Sequence, residues 1–405
     1  MNPHRLSWGF AYNFPFAQVI ALVTIASFVF CKEPKRFPLF PITVVWLVFL
    51  LWMGITTIFA EFPHLAIVQY EKIIKVQIIV LLTMFIMNTK ERIIPLVWII
   101  AFSIGFYGIK GGVFAILTGG TQRIWGPAGS FIADNNGLAQ ALLMIIPLMF
   151  FLRNTITNKW IRLGFIGLII LISISVLSSY SRGAMLGASC MALFLALKSN
   201  RKLLIFSFLP VLIAGLLTFM PQKWYDRMNT LQTYEEDGSA MGRIDNWKFA
   251  FHMANDRIFG GGLNVWGEAS IFYQYEAEAR EGAIPRAAHS IYFGILGEHG
   301  WIGLILFLII LFLAWRTGTW VIKRTKKRED LAWANELARM IQVSLIAFIV
   351  SGAFLNQQYF DLPWHIMSIL VLVRVIVKNE LEKPNTVEEE GGLPEVNAFG
   401  EERRI

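Results

Sequence analysis

The amino-acid sequence predicts an all-α, polytopic transmembrane bundle of about eleven spans with one large outer loop. Three observations predict it. Hydrophobic residues make up 56% of the 405 and charged residues only 16%, where a soluble domain carries about 25% charged. The apolar residues gather into runs near the length that crosses a bilayer as a helix, roughly 17–25 residues. Lysine and arginine fall between alternate runs rather than on one face.

In chain order the predicted spans are 14–31, 39–60, 66–87, 93–118, 135–152, 161–179, 183–198, 203–220, 290–315, 335–355 and 361–378. Glu71, Lys72 and Lys75 interrupt the start of the third, whose first turns read as interfacial. Basic residues follow the odd-numbered spans: Lys32, Lys35 and Arg36; Lys90 and Arg92; Arg153, Lys159 and Arg162; Lys198, Arg201 and Lys202; Arg316, Lys323, Arg324, Lys326, Lys327 and Arg328; Lys378 and Lys383. Positive charge marks cytoplasmic segments, and all six agree. Segments 61–65 and 356–360 carry no Lys or Arg, and 221–288 holds more acids than bases, so these lie outside.

The chain thus divides into an N-terminal transmembrane bundle (1–220), an outer loop with amphipathic helices (221–288), three C-terminal transmembrane helices (289–380) and a polar, disordered cytoplasmic tail (381–405). The N-terminus falls outside, with residues 1–13 as a short tail holding one Arg. No basic region precedes the first run and no small-residue cleavage site follows it, so no signal peptide is expected.

The net charge of +8 is scattered between spans, which argues against nucleic acid as a partner. Cys31 and Cys190 lie inside apolar runs, fit no metal or disulfide spacing, and read as small packing residues. No Asp-x-Asp pair, no Gly-rich loop ending in Lys-Ser or Lys-Thr, and no His-Glu-x-x-His occurs. Glu298-His299-Gly300 lacks a second ligand at helical spacing. No acid is expected deep in the membrane, which leaves coupled transport without a carrier. Neither metal nor cofactor is expected.

The informative polar residues are those that break the pattern on the outer side. Arg182, in Ser178-Ser179-Tyr180-Ser181-Arg182-Gly183, sits in a tight connection between two apolar spans. It reads as an interfacial, snorkelling cation or as an anion site, since its planar fork matches phosphate oxygens. Arg243 begins a helical stretch whose Ile244, Trp247, Phe251, Ala254 and Ile258 form one apolar face suited to the bilayer surface. It is either a solvated residue at a helix start or part of an anion site there. Gly260-Gly261-Gly262 ends that stretch. His289 opens the ninth span at the outer interface, where an imidazole is either structural or suited to move a proton near neutral pH.

These blocks resemble the O-antigen ligase and polymerase superfamily, and are most similar to the exosortase A-associated O-glycosylation ligases. Three carry the resemblance: Ser179-Tyr180-Ser181-Arg182-Gly183-Ala184; Gly242-Arg243-Ile244-Asp245-Asn246-Trp247 with Ala250 and Gly260-Gly261-Gly262-Leu263-Asn264; and His289-Ser290-Ile291-Tyr292 with Gly297-Glu298-His299-Gly300-Trp301-Ile302-Gly303-Leu304. Their order around one outer loop is more specific than any one of them. Asn2-Pro3-His4-Arg5-Leu6-Ser7-Trp8-Gly9-Phe10 also resembles the exosortase-associated group. Ser290 stands where the superfamily often has Asn. That group usually has an extra apolar segment before the Asn-Pro-His-Arg stretch. Together with the outside N-terminus, this leads us to expect a natural start upstream of Met1 and about twelve spans.

The resemblance implies a metal-independent, inverting glycosyltransferase of the C type in the bacterial inner membrane, with its active site facing the periplasm and its C-terminus in the cytoplasm. The donor is a glycan on undecaprenyl diphosphate. The acceptor is a lipid A-core sugar or a protein hydroxyl. On this reading Arg182 and Arg243 neutralise the leaving diphosphate and His289 takes the acceptor proton. Arg123 extends the phosphate site, Asp361 orients a cation or the acceptor, and Tyr292 is a further substrate-binding candidate. The rival readings are a polymerase of the same superfamily, separated by its product, and a lipid-linked sugar transporter, which needs basic residues through a central cavity. A structural scaffold leaves the outer arginines unexplained.

Overall fold

The structure is a computed structural model and describes residues 9–198, 218, 221–229, 238–267, 269–276 and 287–383. Its elements are α1 (Phe10–Asn13), α2 (Phe16–Phe30), α3 (Pro41–Ile58), α4 (Pro63–Ile86), α5 (Lys90–Leu117), α6 (Asn135–Thr155), α7 (Lys159–Leu177), α8 (Arg182–Lys198), α9 (Gln222–Asn229), α10 (Gly238–Asp256), α11 (Ala269–Tyr275), α12 (Ile291–Thr325), α13 (Ala332–Gly352) and α14 (Asp361–Glu382). No strand occurs among the described residues. Helices stand at every predicted span except 203–220, which lies outside the described residues apart from Thr218. The tail beyond 383 lies outside them too.

Among the described residues, six helices are long and apolar enough to cross a membrane: α3, α5, α6, α7, α12 and α13. Helices satisfy their own backbone polar groups, which an apolar run in lipid requires. Local signals set their starts. Proline opens α3 and α4. Asp134 caps α6 by accepting from the N–H groups of Asn136 and Gly137 at 2.9 and 3.0 Å. Asn158 does the same for α7. The third predicted span, weak at its start, is helical throughout and is not among these six. α4 runs unbroken through Glu71 and Lys75, which pair at 3.3 Å on an exposed face one turn apart.

α6 is the axis of the bundle, with 89% of its apolar window buried, as a helix that is apolar all round must be. Polar side chains clamp α13 to it: Ser344 Oγ donates to the Met144 carbonyl at 2.6 Å, and Gln140 Nε2 to that of Phe348 at 3.1 Å. α12 packs on α3, α13 and α14, and α8 lies along α13. Cys31 and Cys190 are free and exposed, which corrects their reading as packing residues. Cys31 directly follows α2, and Cys190 lies on α8.

α5 and α7 cross at glycines. A Cβ on Gly112 would lie 2.1 Å from the Leu171 carbonyl oxygen. Gly112→Ala is therefore expected to force the helices apart and destabilise the protein by about 1–3 kcal/mol. A lowered thermal unfolding midpoint of the detergent-purified protein is the readout, and an unchanged midpoint would contradict this packing.

α12 is broken at Gly300, whose φ of 66° only glycine adopts without strain. The break frees carbonyls on its first turns. The N–H groups of Gly261 and Gly262 take up those of Gly297 and Glu298 at 2.8 and 3.0 Å. A Cβ on Gly260 would lie 2.7 Å from the Gly300 nitrogen. The glycine triplet is thus the plug of a helix break.

Candidate functional site

The turn between α7 and α8 is held from several sides. Tyr180 adopts a left-handed φ of 59°, and its hydroxyl donates to the Gly120 carbonyl at 2.7 Å. Asn135 Nδ2 donates to the Ser179 carbonyl at 2.7 Å, and the Ile124 N–H to that of Ser178 at 3.3 Å. Ser181 caps α8 by accepting from the Ala184 N–H at 3.3 Å. Arg182 is the first residue of α8 and only 8% exposed. Its guanidinium charge and the helix N-terminus share one sign, which favours an anion. Arg123 is exposed, and its guanidinium lies 5.9 Å over the Tyr180 ring. Burial raises the Tyr180 phenol above its usual range, with Arg123 acting the other way. Trp224 of α9 covers the turn and donates to the Leu177 carbonyl at 3.0 Å.

α10 starts at Gly238, so Arg243 lies inside the helix rather than at its start. This removes the expected contribution of that helix N-terminus. The face that docks on the bundle also differs from the predicted one: Asp245, Asn246, Phe249, Ala250, Met253 and Ala254 are buried, while Phe251 is 44% and Ile258 63% exposed. Of the predicted stripe, Phe251 and Ile258 face outward, whereas Ala254 is buried and Trp247 packs on Phe293, in a helix that lies on α12. α10 is pinned at its far end by Arg257, which pairs with Glu61 at 2.5 Å, and by Asn255, which accepts from Trp301 Nε1 at 2.9 Å.

Trp247 is the joint between the blocks. It stacks on Phe293 at 5.0 Å and 7°, donates to the Ala288 carbonyl at 2.7 Å, and lies 6.5 Å from the Phe354 ring. Phe354 in turn backs Gly183, where a Cβ would stand 3.3 Å from its own. Arg243 lies one helical turn before Trp247, Arg182 precedes Gly183, and His289 follows Ala288. The chain segments that carry Arg182, Arg243 and His289 therefore meet at Trp247 and Phe354. His289 itself has a left-handed φ of 47°, a conformation rare outside glycine and frequent at functional sites. Ser290 caps α12 behind it.

The other expected residues are placed differently. Tyr292 donates its hydroxyl to the Ile349 carbonyl at 2.9 Å and so fastens α12 to α13. Asp361 begins α14 and faces a cavity of about 1050 Å³ bounded by α4, α5 and α14, which none of Arg123, Arg182 and Arg243 lines.

A buried polar chain was not foreseen. Glu298 is 4% exposed in the second turn of α12, next to the break at Gly300. One carboxylate oxygen accepts from the Asn264 N–H at 3.0 Å and the other from the Tyr359 hydroxyl at 2.6 Å. Tyr359 Oη also lies 2.7 Å from His299 Nε2, and His299 Nδ1 lies 2.6 Å from Thr56 Oγ1. Thr56 donates to the Met53 carbonyl at 3.0 Å. The signal in the sequence is an adjacent acid and imidazole inside an apolar run, a pair that a membrane interior obliges to find polar partners. Those partners lie on other segments. Among the described residues no three His, Cys, Asp or Glu side chains are grouped to hold a metal ion.

Residues 167–308 match the family model described as O-antigen ligase, a segment that contains Arg182, Arg243 and His289. Residues 1–157 match a second model, a family of unknown function, DUF5935. No curated protein and no solved structure matches the chain. An O-antigen ligase domain therefore lies within an all-helical, multi-pass membrane chain.

Proposed function

We propose that the protein is a glycosyltransferase of the O-antigen ligase type, which moves a glycan from undecaprenyl diphosphate to an acceptor hydroxyl on the periplasmic face. What supports this reading is that the segments carrying Arg182, Arg243 and His289, all inside the matched residues 167–308, meet at Trp247 and Phe354. In the reaction the bond from the anomeric carbon to the diphosphate oxygen breaks and its electron pair leaves with the diphosphate. The acceptor oxygen bonds that carbon from the opposite side, which inverts the centre. The acceptor proton passes to His289 as the new bond forms, because an alcohol is too weak an acid to ionise first. Arg182 and Arg243 hold the charge that grows on the leaving group. Arg123, beside the Arg182 turn, extends that field.

His289→Ala is expected to abolish transfer with membrane abundance unchanged. Wild-type activity of this variant would remove the proton-transfer role. With two guanidiniums on the diphosphate, transfer is also expected to survive EDTA; loss on chelation would contradict the scheme. The acceptor class, lipid A-core or protein, is read from the product, as is polymerisation on the lipid carrier.

A further inference from the structure

None of Arg123, Arg182 and Arg243 lines the cavity beside Asp361, which has the build of a lipid site. α4 and α5 both pack on α14 but hardly on each other. The gap between them is a crevice of about 1050 Å³ with α14 as its floor, at the top of the roughly 300–1,000 Å³ range of small-molecule sites. Ile99 and Phe106 at its mouth are 64% and 51% exposed, so it opens sideways through the face that meets lipid.

Its lining is graded. The wall toward the Lys90 end of α5 is apolar, with Val76, Leu96, Ile99 and Ile100. Lys72 lies nine residues into α4 and Tyr107 ten residues from the other end of α5, about 14–15 Å along each helix from the end that bears Arg182. Asp361 and Ser130 stand above them at that end. Tyr107 is 9% exposed, yet its hydroxyl has no hydrogen-bond partner, and neither has His365 Nδ1. Both residues line the crevice. Buried polar atoms are paired in folded proteins as a rule. Lys72 and Asp361 form no ion pair among the described residues. A cation at mid-depth, an anion above it and unpaired polar atoms between them match a headgroup that carries both signs.

We propose that this crevice binds a phospholipid with a zwitterionic phosphoethanolamine head. The acyl chains lie against Val76, Leu96 and Ile100. The phosphate sits on Lys72 and the Tyr107 hydroxyl, and the ammonium points up to Asp361. A purely anionic lipid would satisfy Lys72 but set its charge against Asp361. The site stands on the cavity alone and holds whether or not the chain transfers glycans.

The test uses the full chain, purified in mild detergent and mixed with vesicles of equal parts phosphatidylethanolamine, phosphatidylglycerol and a polyprenyl phosphate, then read by native mass spectrometry. One phosphatidylethanolamine is expected to be retained, roughly tenfold over phosphatidylglycerol. Asp361→Asn should erase that preference, and Ser103→Trp should fill the crevice and lower total retention. Ser103→Trp is scored only if monodisperse, and Asp361→Asn, an isosteric change, decides otherwise. Retention of no lipid, equal retention of both phospholipids, or preference for the polyprenyl phosphate would each overturn the proposal. The last of these would mark the crevice as part of the donor path.

Discussion

Arg182→Ala is expected to cut glycan transfer by about ten- to a hundredfold, and Arg243→Ala by a similar factor. A charge-assisted hydrogen bond is worth about 1.5–3 kcal/mol, and every 1.36 kcal/mol lost from transition-state binding is tenfold in rate. The double variant should lose less than the product of the single losses, because both cations act on one diphosphate. The fold should tolerate Arg182→Ala. The turn that holds it is fixed by Asn135, Tyr180 and Ile124 through bonds that do not involve its side chain. Lysine at either position should restore part of the rate, since it keeps the charge but not the planar fork. The measurement is glycan transferred in membranes holding equal amounts of each variant. Full activity of either alanine variant would refute the shared-diphosphate scheme.

Glu298→Ala is expected to destabilise the protein by about 2–6 kcal/mol, whereas Glu298→Gln should cost less than about 1 kcal/mol. The difference follows from counting protons. The links Glu298–Tyr359, Tyr359–His299, His299–Thr56 and Thr56–Met53 are four. A carboxylate, a phenol, a neutral imidazole and a hydroxyl supply only three protons to donate. With all four links made, the chain holds one more. It is then either a carboxylic acid with a neutral imidazole or a carboxylate with an imidazolium, and in both cases its net charge is zero. Glutamine copies the first arrangement. Its NH₂ donates to the Tyr359 oxygen, its carbonyl accepts from Asn264, and the Tyr359 hydroxyl turns to His299. Alanine leaves the Asn264 N–H without its partner, at about 1–3 kcal/mol, leaves the Tyr359 hydroxyl with His299 alone, and opens a cavity that adds to the loss. Thermal unfolding of the detergent-purified variants decides the matter. Equal losses for glutamine and alanine would contradict the proton count.

The candidate site was legible residue by residue but not as a shape. Arg182, Arg243 and His289 stood out because each breaks an apolar or charge pattern that orientation in a membrane imposes. The meeting of their segments depends on Trp247 and Phe354, which carry no chemistry of their own and give no local signal. Asp361 is expected from the sequence to orient a cation or the acceptor, and α14 turns it toward α4 and α5. Tyr292 was placed with the substrate because of its motif, and its hydroxyl is spent on Ile349.

By itself the sequence determined the helical class and the positions of the helices, because an apolar run must satisfy its backbone within itself and caps such as Asp134 and Asn158 act over two or three residues. Only the tertiary structure decided that Gly260–Gly262 plug the break at Gly300, that Glu298 meets Tyr359 while His299 meets Tyr359 and Thr56, and that none of Arg123, Arg182 and Arg243 lines the crevice. Those contacts join residues tens to hundreds of positions apart. Side-chain periodicity reports which face of a helix is buried, and not against what.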